Sequence, residues 1–563
     1  MLRSVLSIAL ISVFLGCSQS SQAQAPVVAL EQLAVVEAKL SKWYPEDQPG
    51  AVVLLMKDGQ VVFRKGYGLA NATLKAPIKP EMTFRIGSVT KQFTAAAVLK
   101  LVEDGKVDVN LPISRYLKDL PETWKAITVE QLLTHTAGLP NYTDVEALWE
   151  KPDKRFKPAK MLEEYVGDLP LQFEPGSKYA YSNTGYVLLG MLIERISGQS
   201  YDDFLQKRLL DPLGLDHTHY DSDTDPDPDL PVGYRQGTSV ARSWSVTQKY
   251  AAGGLVSTAS DLALWTQALH DGKVVKPESL AKMMTPVKLK GGREESYGYG
   301  LEFRSSHGHR LVGHGGEVDG FQCRVEADPA ARAVAVILSN SREPKAEIEY
   351  FTRYLLALAA GRALPEPVPA PIEPSALQSV AGLYSLENQI RLITFEGGKL
   401  HSRRLGHSKF ALIPLSPMEF RFEDSDAYLR FEREGGKVTG MYRRYADFPE
   451  SRVYKWMEAL PDPDPEMTRL VQRSLDELAN GNLDLAVFTP KLARQITSGM
   501  LKEMATDLQA LGKLTSIDLY RREERKDGLC MCFYRVGFGE RNLGLFLWMT
   551  KDKKIADFDS LVE

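Results

Sequence analysis

The sequence predicts an α/β (α+β) chain: an antiparallel sheet flanked by helices and carrying a helical insert, then a small all-β domain and a small α+β domain. Three observations carry this reading. β-rich runs stand at both ends of the stretch up to Arg362, with a long helical and looped middle between them. Two proline-rich seams, "ALPEPVPAPIEP" (Ala363 to Pro374) and "LPDPDPEM" (Leu460 to Met467), then divide the chain. Past each seam the residue pattern changes, first to short strands and then to helix mixed with strand.

In chain order, "LEQLAVVEAKLSKWY" is apolar at helical spacing, and "AVVLLMKDGQVVFRKGYG" is two β-rich runs joined at Asp-Gly, hence a helix and a hairpin. The middle, from about Ser88 to Met284, reads as helices and loops. "FQCRVEADPAARAVAVILSN" is a second strand pair, and "EIEYFTRYLLALAAGR" a closing helix. These parts form one domain over 26–362. The seam at 363–374 is an extended linker. Residues 375–460 hold strands separated by Gly turns, as in a small β-barrel or sandwich. Residues 467–563 open on the amphipathic "TRLVQRSLDELANG" and continue with strands such as "CFYRVGF", an α+β pattern.

At 563 residues, with 44% hydrophobic and 25% charged residues, the chain has room for several cores. A net charge of -4 with both signs interspersed gives no reason to expect nucleic acid as a partner. Residues 1–23 read as a signal peptide, with Arg3 before the apolar "VLSIALISVFLG", which is too short to span a bilayer. Two processing routes fit: lipid attachment at Cys17, which would hold the protein to a membrane, or cleavage near Ala23. Either route places the protein in the periplasm or cell envelope. The remaining Cys323, Cys530 and Cys532 lack metal-ligand spacing, and Cys530 and Cys532 read as free buried thiols.

The chemistry centres on "FRIGSVTKQF", where Lys91 follows Ser88 by one helical turn. Chance alone supplies about two Ser-x-x-Lys matches in a chain this long, and there are two. Ser279-Leu-Ala-Lys282 reads as a solvated surface turn. Ser88 differs because Gly87 precedes it and an apolar helical run follows, so Lys91 would point into a core. A buried ammonium is costly unless paired or deprotonated, and a deprotonated lysine is a base for serine. An N-cap role for Ser88 explains the serine and leaves the lysine unexplained.

Two further elements fit the same chemistry. Tyr181-Ser-Asn183 precedes an apolar helix, so a phenol for proton transfer and an amide for substrate would face one side of an extended segment; the plainer reading is a turn that caps the helix. His314-Gly-Gly316 lies on a glycine-rich strand whose backbone can approach another closely, and an exposed N–H there, with that of Ser88, would make an oxyanion hole. Its plainer reading is a β-bulge with a surface imidazole.

Ser-x-x-Lys, Tyr-x-Asn and His-x-Gly in this order resemble the serine β-lactamase and penicillin-binding superfamily, in particular its class C β-lactamase, D-alanyl-D-alanine carboxypeptidase, esterase and D-aminopeptidase group. "LLTHTAGLP", "LLDPLGLDHTHY" and "AAGGLVSTASDLALW" are also similar to that group, and the resemblance spans Leu30 to Arg362. It implies that Ser88 is acylated, that Lys91 and Tyr181 share proton transfer, and that Asn183 holds the substrate amide. His314 stands where the group carries a second Lys, and Gly316 and the Glu317 N–H belong to the oxyanion strand. No metal or organic cofactor is implied.

His314 in place of Lys, Gly315 in place of a hydroxyl residue, and Glu317 alongside all weaken recognition of a substrate carboxylate. The expected activity is therefore an esterase or a peptidase or amidase, D-stereospecific in some members, acting on a small ester, amide or peptide. The alternatives are a β-lactamase or D-Ala-D-Ala carboxypeptidase and, in another class, a non-catalytic envelope protein that binds peptidoglycan or a partner. The sequence does not indicate an oligomeric state. Residues 375–460 resemble the lipocalin-like domains attached to some D-aminopeptidases of this superfamily. "DSDTDPDPDLP" lacks the Gly and Glu of a Ca²⁺ loop and reads as an acidic surface loop, and His307 and His309 read as a hairpin turn with no carboxylate near.

Overall fold

In a computed structural model the described residues run from 30 to 562, apart from 307, 319, 342–347, 363–366, 387–388, 405–408, 424, 426, 446–451, 495, 526–527 and 540. The expected signal segment with Cys17, His307 and the first residues of the linker lie outside them.

Helix α1 (Leu30–Trp43) leads into β1 (Ala51–Lys57) and β2 (Gln60–Tyr67). Asp58 and Gly59 turn this hairpin at φ 48° and 77°, the left-handed pair that a two-residue turn requires. The chain then leaves the sheet for an insert containing α2 (Thr90–Glu103), α3 (Asn183–Ser197), α4 (Val246–Gly253) and α5 (Ala259–His270). It returns as β3 (Glu302–Ser306), β4 (His309–Val318), β5 (Phe321–Asp328) and β6 (Ala333–Ser339), and α6 (Ile348–Ala359) follows. The six strands lie in the order β3-β4-β5-β6-β1-β2, each pair antiparallel. The two ends of the segment therefore meet at β1 and β6, as the strand pattern predicts.

Both faces of this sheet are covered. Val52, Leu54 and Met56 pack with Phe93 and the rest of the insert, whereas Ala51, Val53 and Leu55 pack with Leu40 of α1 and Leu355 of α6. Burial on both sides is why β1 reads as an unbroken apolar run.

Beyond the proline-rich seam, eight strands from Gly382–Leu386 to Arg452–Met457 form a closed barrel in sequence order, the first pairing with the last. Of the two shapes the strand pattern allows, the barrel is the one present. Its core includes Tyr384, Phe420, Leu429 and Tyr454. The last part packs helices Pro465–Ala479 and Ser498–Leu511 on a four-stranded meander. There Cys530 and Cys532 are buried free thiols, 3.7 Å apart at sulfur. The barrel touches α1 through Trp43 and Phe410, and Leu383, Ile390, Leu392 and Met457 of the barrel share a cluster with Phe533 of the last sheet.

Three expectations need correction. Ser279 is buried while Lys282 faces solvent, because the helix Pro277–Met283 turns its Ser279 and Met283 side inward. Asp221 is buried and pairs with Arg85 Nε at 2.8 Å and Lys249 Nζ at 3.6 Å, so the acidic stretch starts in the interior. His309 has the Asp328 carboxylate 3.4 Å from Nδ1, since β5 runs beside the β3–β4 hairpin. Among the described residues no group of His, Cys, Asp or Glu is arranged to hold a metal ion, and no helix is long and apolar enough to cross a membrane.

Candidate active site

The site forms where the start of α2 meets β4. Gly87 has φ 48°, a conformation that favours glycine. It opens a single 3₁₀ turn, Gly87–Val89, that carries Ser88 before the α-helix begins at Thr90. β4 approaches this turn backbone to backbone. A Cβ on Gly316 would lie 2.0 Å from the Ile86 carbonyl oxygen, and one on Gly87 would lie 2.8 Å from the Glu317 nitrogen. The register of β4 with β5 runs unbroken from Val312 to Val318, so these glycines serve close approach and not a bulge.

Lys91 is fully buried one turn below Ser88. Its Nζ stands 3.1 Å from Ser88 Oγ, 2.8 Å from Asn183 Oδ1 and 2.7 Å from the Ala252 carbonyl oxygen. The two carbonyl oxygens only accept and so take two N–H bonds, whereas the serine hydroxyl can donate. A neutral amine satisfies all three. Burial holds the Lys91 pKa well below the usual lysine range, with Glu302 opposing weakly.

Tyr181 lies over this amine, Lys91 Nζ being 4.7 Å from the ring centroid. Its hydroxyl is buried and makes no hydrogen bond. Burial raises its pKa well above the usual value and Ser88 opposes that rise, although the geometry falls short of a hydrogen bond. Asn183 is the first residue of α3, and neither it nor Ser182 caps the helix through its side chain. This differs from the expected extended segment. Both ends of the Asn183 amide are engaged, Oδ1 by Lys91 and Nδ2 by Thr143 Oγ1 at 3.2 Å.

His314 is 1% exposed, not a surface imidazole. Burial lowers its pKa to about 4 against the pull of Glu302, so the ring is neutral at pH 7. Glu302 is itself pushed up by burial, but Arg324, His314 and Arg304 outweigh this and hold it below the usual carboxylate range.

A cavity of about 570 Å³ beside Ser88 is lined by Asn183, Glu317, Lys249, Trp149 and Trp244. The two indoles meet edge to face, their rings 3.9 Å apart. A smaller cavity of about 260 Å³ is lined by Ser88, Tyr181, His314, Gly316 and Glu317. All seven residues singled out from the sequence thus converge on one place, with Lys91 beneath it. The arrangement suits attack by a serine on a carbonyl, with an amine to take the proton and backbone N–H groups to receive the oxyanion.

Sequence reasoning missed His135, Tyr297 and the Ala252 carbonyl. His135 lies within "LLTHTAGLP", a stretch noted without a role. Tyr297 had a signal of its own, since Gly298 and Gly300 flank Tyr299 just after it, and a Cβ on Gly300 would lie 2.5 Å from the Lys91 carbonyl oxygen.

This fold, and a serine and buried lysine facing a glycine-rich strand, define a β-lactamase-like serine hydrolase, and the chain belongs to the Beta-lactamase family, whose profile matches residues 40–359. Among particular proteins it is 28% identical over 402 residues to penicillin-binding protein 4* of Bacillus subtilis (strain 168), covering 66% of this chain and 88% of that one. It is 27% identical over 296 residues to a D-aminopeptidase of Gluconobacter oxydans (strain 621H), covering 52% of this chain and 56% of that enzyme. The match therefore spans little more than half of that D-aminopeptidase. The octameric penicillin-binding protein homologue of Pyrococcus abyssi superposes with a TM-score of 0.54 at 27% identity, over 75% of this chain and all of that one. The D-amino acid amidase of Ochrobactrum anthropi SV3 gives 0.50 at 26% identity, over 57% and 94%.

Proposed function

We propose that this protein is an exported amidase or peptidase that acylates Ser88 with a small amide or peptide substrate that presents no carboxylate toward the His314 position, and that it also turns over esters. The observation that carries this reading is the buried, neutral His314, which offers no cation to a carboxylate. Similarity to a D-aminopeptidase and a D-amino acid amidase supports D-stereospecific substrates.

Ser88 Oγ attacks the substrate carbonyl while its proton passes to Lys91 Nζ, 3.1 Å away. The N–H groups of Ser88 and Glu317 receive the oxyanion. The raised pKa of Tyr181 keeps it a phenol, so it donates to the leaving amine and is reprotonated from Lys91. Its unpartnered buried hydroxyl supports this role, because such a group awaits a bond. Water then attacks the acyl-enzyme, its proton returning through the same groups to Ser88 and releasing the acid. Asn183 holds Lys91 in place as well as bordering the larger cavity.

Residues 26–362 form the catalytic domain in this reading, with 375–460 and 467–563 as accessory domains. Residues 1–23 direct export to the cell envelope, ending in lipidation at Cys17 or cleavage near Ala23. Mass spectrometry after a fluorophosphonate, with turnover of D- and L-amino-acid amides and p-nitrophenyl esters, tests the function. Wild type gains one adduct on Ser88 and Ser88→Ala gains none. Equal absence of adduct and turnover in both sinks the reading.

A further inference from the structure

The ring nitrogens of His314 are both occupied inside the protein, and their partners fix where each proton lies. Nδ1 is 2.6 Å from the Gly315 carbonyl oxygen, which only accepts, so Nδ1 carries hydrogen. Nε2 then has a lone pair, and the Tyr297 hydroxyl at 2.9 Å donates to it. The Tyr297 oxygen is left as an acceptor and lies 3.2 Å from His135 Nε2, which must donate. His135 Nδ1, now unprotonated, accepts the Ser182 backbone N–H at 3.2 Å. Each end of the chain is a backbone group with one possible role, so the direction of every bond between them follows.

We propose that Ser182 N–H, His135, Tyr297, His314 and the Gly315 carbonyl form a one-way relay, with His135 as its Nε2–H tautomer and His314 as its Nδ1–H tautomer, and that His135 and Tyr297 are positioning residues for catalysis. The relay ties the loop bearing Tyr181 to β4, which bears the Glu317 N–H. The His135 ring also packs on Tyr181 at 4.2 Å between centroids, so the element that fixes His314 braces the phenol over Lys91. A proton added to either imidazole would set two donors against the Tyr297 oxygen or oppose the Ser182 N–H. Burial depresses the pKa of both rings in the same sense.

His314 in this arrangement is a strut whose N–H is spent on its neighbour's carbonyl, and it gives the substrate neither charge nor hydrogen. That conclusion deepens the amidase reading and, for its effect on rate, rests on it. The charged and titratable groups facing His314 are Lys91 from α2, Glu302 from β3, Arg324 from β5 and Tyr181 from the loop before α3. Tyr186, whose hydroxyl donates to the Leu133 carbonyl, packs against His135.

Neutron crystallography of the full chain in D₂O at pH 7 reads the relay without reference to activity. Deuterium is expected on His314 Nδ1 and His135 Nε2, with none on the other two ring nitrogens. A deuteron on His314 Nε2 or on His135 Nδ1 overturns the proposal. Kinetics of Tyr297→Phe, which keeps the ring and removes the hydroxyl, read the positioning role. We expect kcat to fall by about tenfold or more with KM little changed. The acidic limb of kcat/KM should also move to higher pH, since the lone pair of His314 loses the donor that occupied it. Wild-type kcat and pH profile in Tyr297→Phe overturn the positioning role. Deuterons placed as expected in a protein that hydrolyses no amide or ester leave the relay standing and remove the acyl-transfer reading.

Discussion

Gly316 lies so close beneath Ile86 that a single added carbon would sit 2.0 Å from its carbonyl oxygen. β4 is thereby seated against the turn that carries Ser88. Gly316→Ala is expected to push the strand and its Glu317 N–H off the serine, at a cost of about 1–3 kcal/mol in stability. Acylation should slow by about tenfold or more. Stopped-flow acylation and thermal melts measure the two effects, and an unaltered acylation rate would show that β4 supplies no oxyanion donor.

Lys91 makes a different kind of contribution. Lys91→Met keeps the length of the side chain and relieves the burial of an amine, but under the proposed mechanism it leaves Ser88 without a base. Acylation should fall by about 10²–10⁴-fold. Circular dichroism should still report a folded protein at the working temperature, which separates lost chemistry from lost structure.

Acid is expected to destabilise the protein through His314. Its folded pKa of about 4 lies below the unfolded value of 6.5, so the unfolded chain binds more protons between those limits. The contribution is complete above pH 6.5 and lost as pH falls toward 4, and for this one ring it amounts to about 3 kcal/mol. Melting curves from pH 7 to pH 4 should show the loss. In His314→Gln the slope should be shallower.

Arg324 is 1% exposed and joins β3 to β5, bonding Glu302 and reaching Glu326 at 2.9 Å. Arg324→Met takes a cation from two carboxylates, leaving Glu302 with Arg304 at 3.4 Å and the wholly buried Glu326 with the neutral Thr352 hydroxyl at 3.1 Å, and should cost about 3–5 kcal/mol. Urea unfolding checks this. Arg324→Met combined with Glu326→Gln should recover part of the loss, because the deepest charge then goes too.

The sheet, and the meeting of Ser88 with a buried Lys91, were legible because they rest on local chemistry. The Asp-Gly turn of the first hairpin, the apolar run of β1 and the glycine before Ser88 each state a backbone need that few residues meet. The seams stand out in the sequence because prolines cannot join a ladder. Ser279 misled because its helix buries one side, and a four-residue motif does not say which side that is. His135 and Tyr297 stayed hidden for a further reason. They lie 162 residues apart, and no spacing rule links two side chains whose meeting depends on the whole insert. His135 also has φ 57°, a left-handed conformation uncommon for a residue with a side chain, and nothing in "LLTHTAGLP" signals it.

The meeting of β1 and β6 also governs how the protein is made. Gly50 donates its N–H to the side chain of Asn340, 290 residues later, and β1 finds its central partner only there. On a ribosome, the apolar β1 has emerged long before β6 exists to cover its edge. Contacts of such long range slow folding. The chain consequently spends its synthesis with an interior strand of its sheet unpaired on one edge, a state that a chaperone can hold.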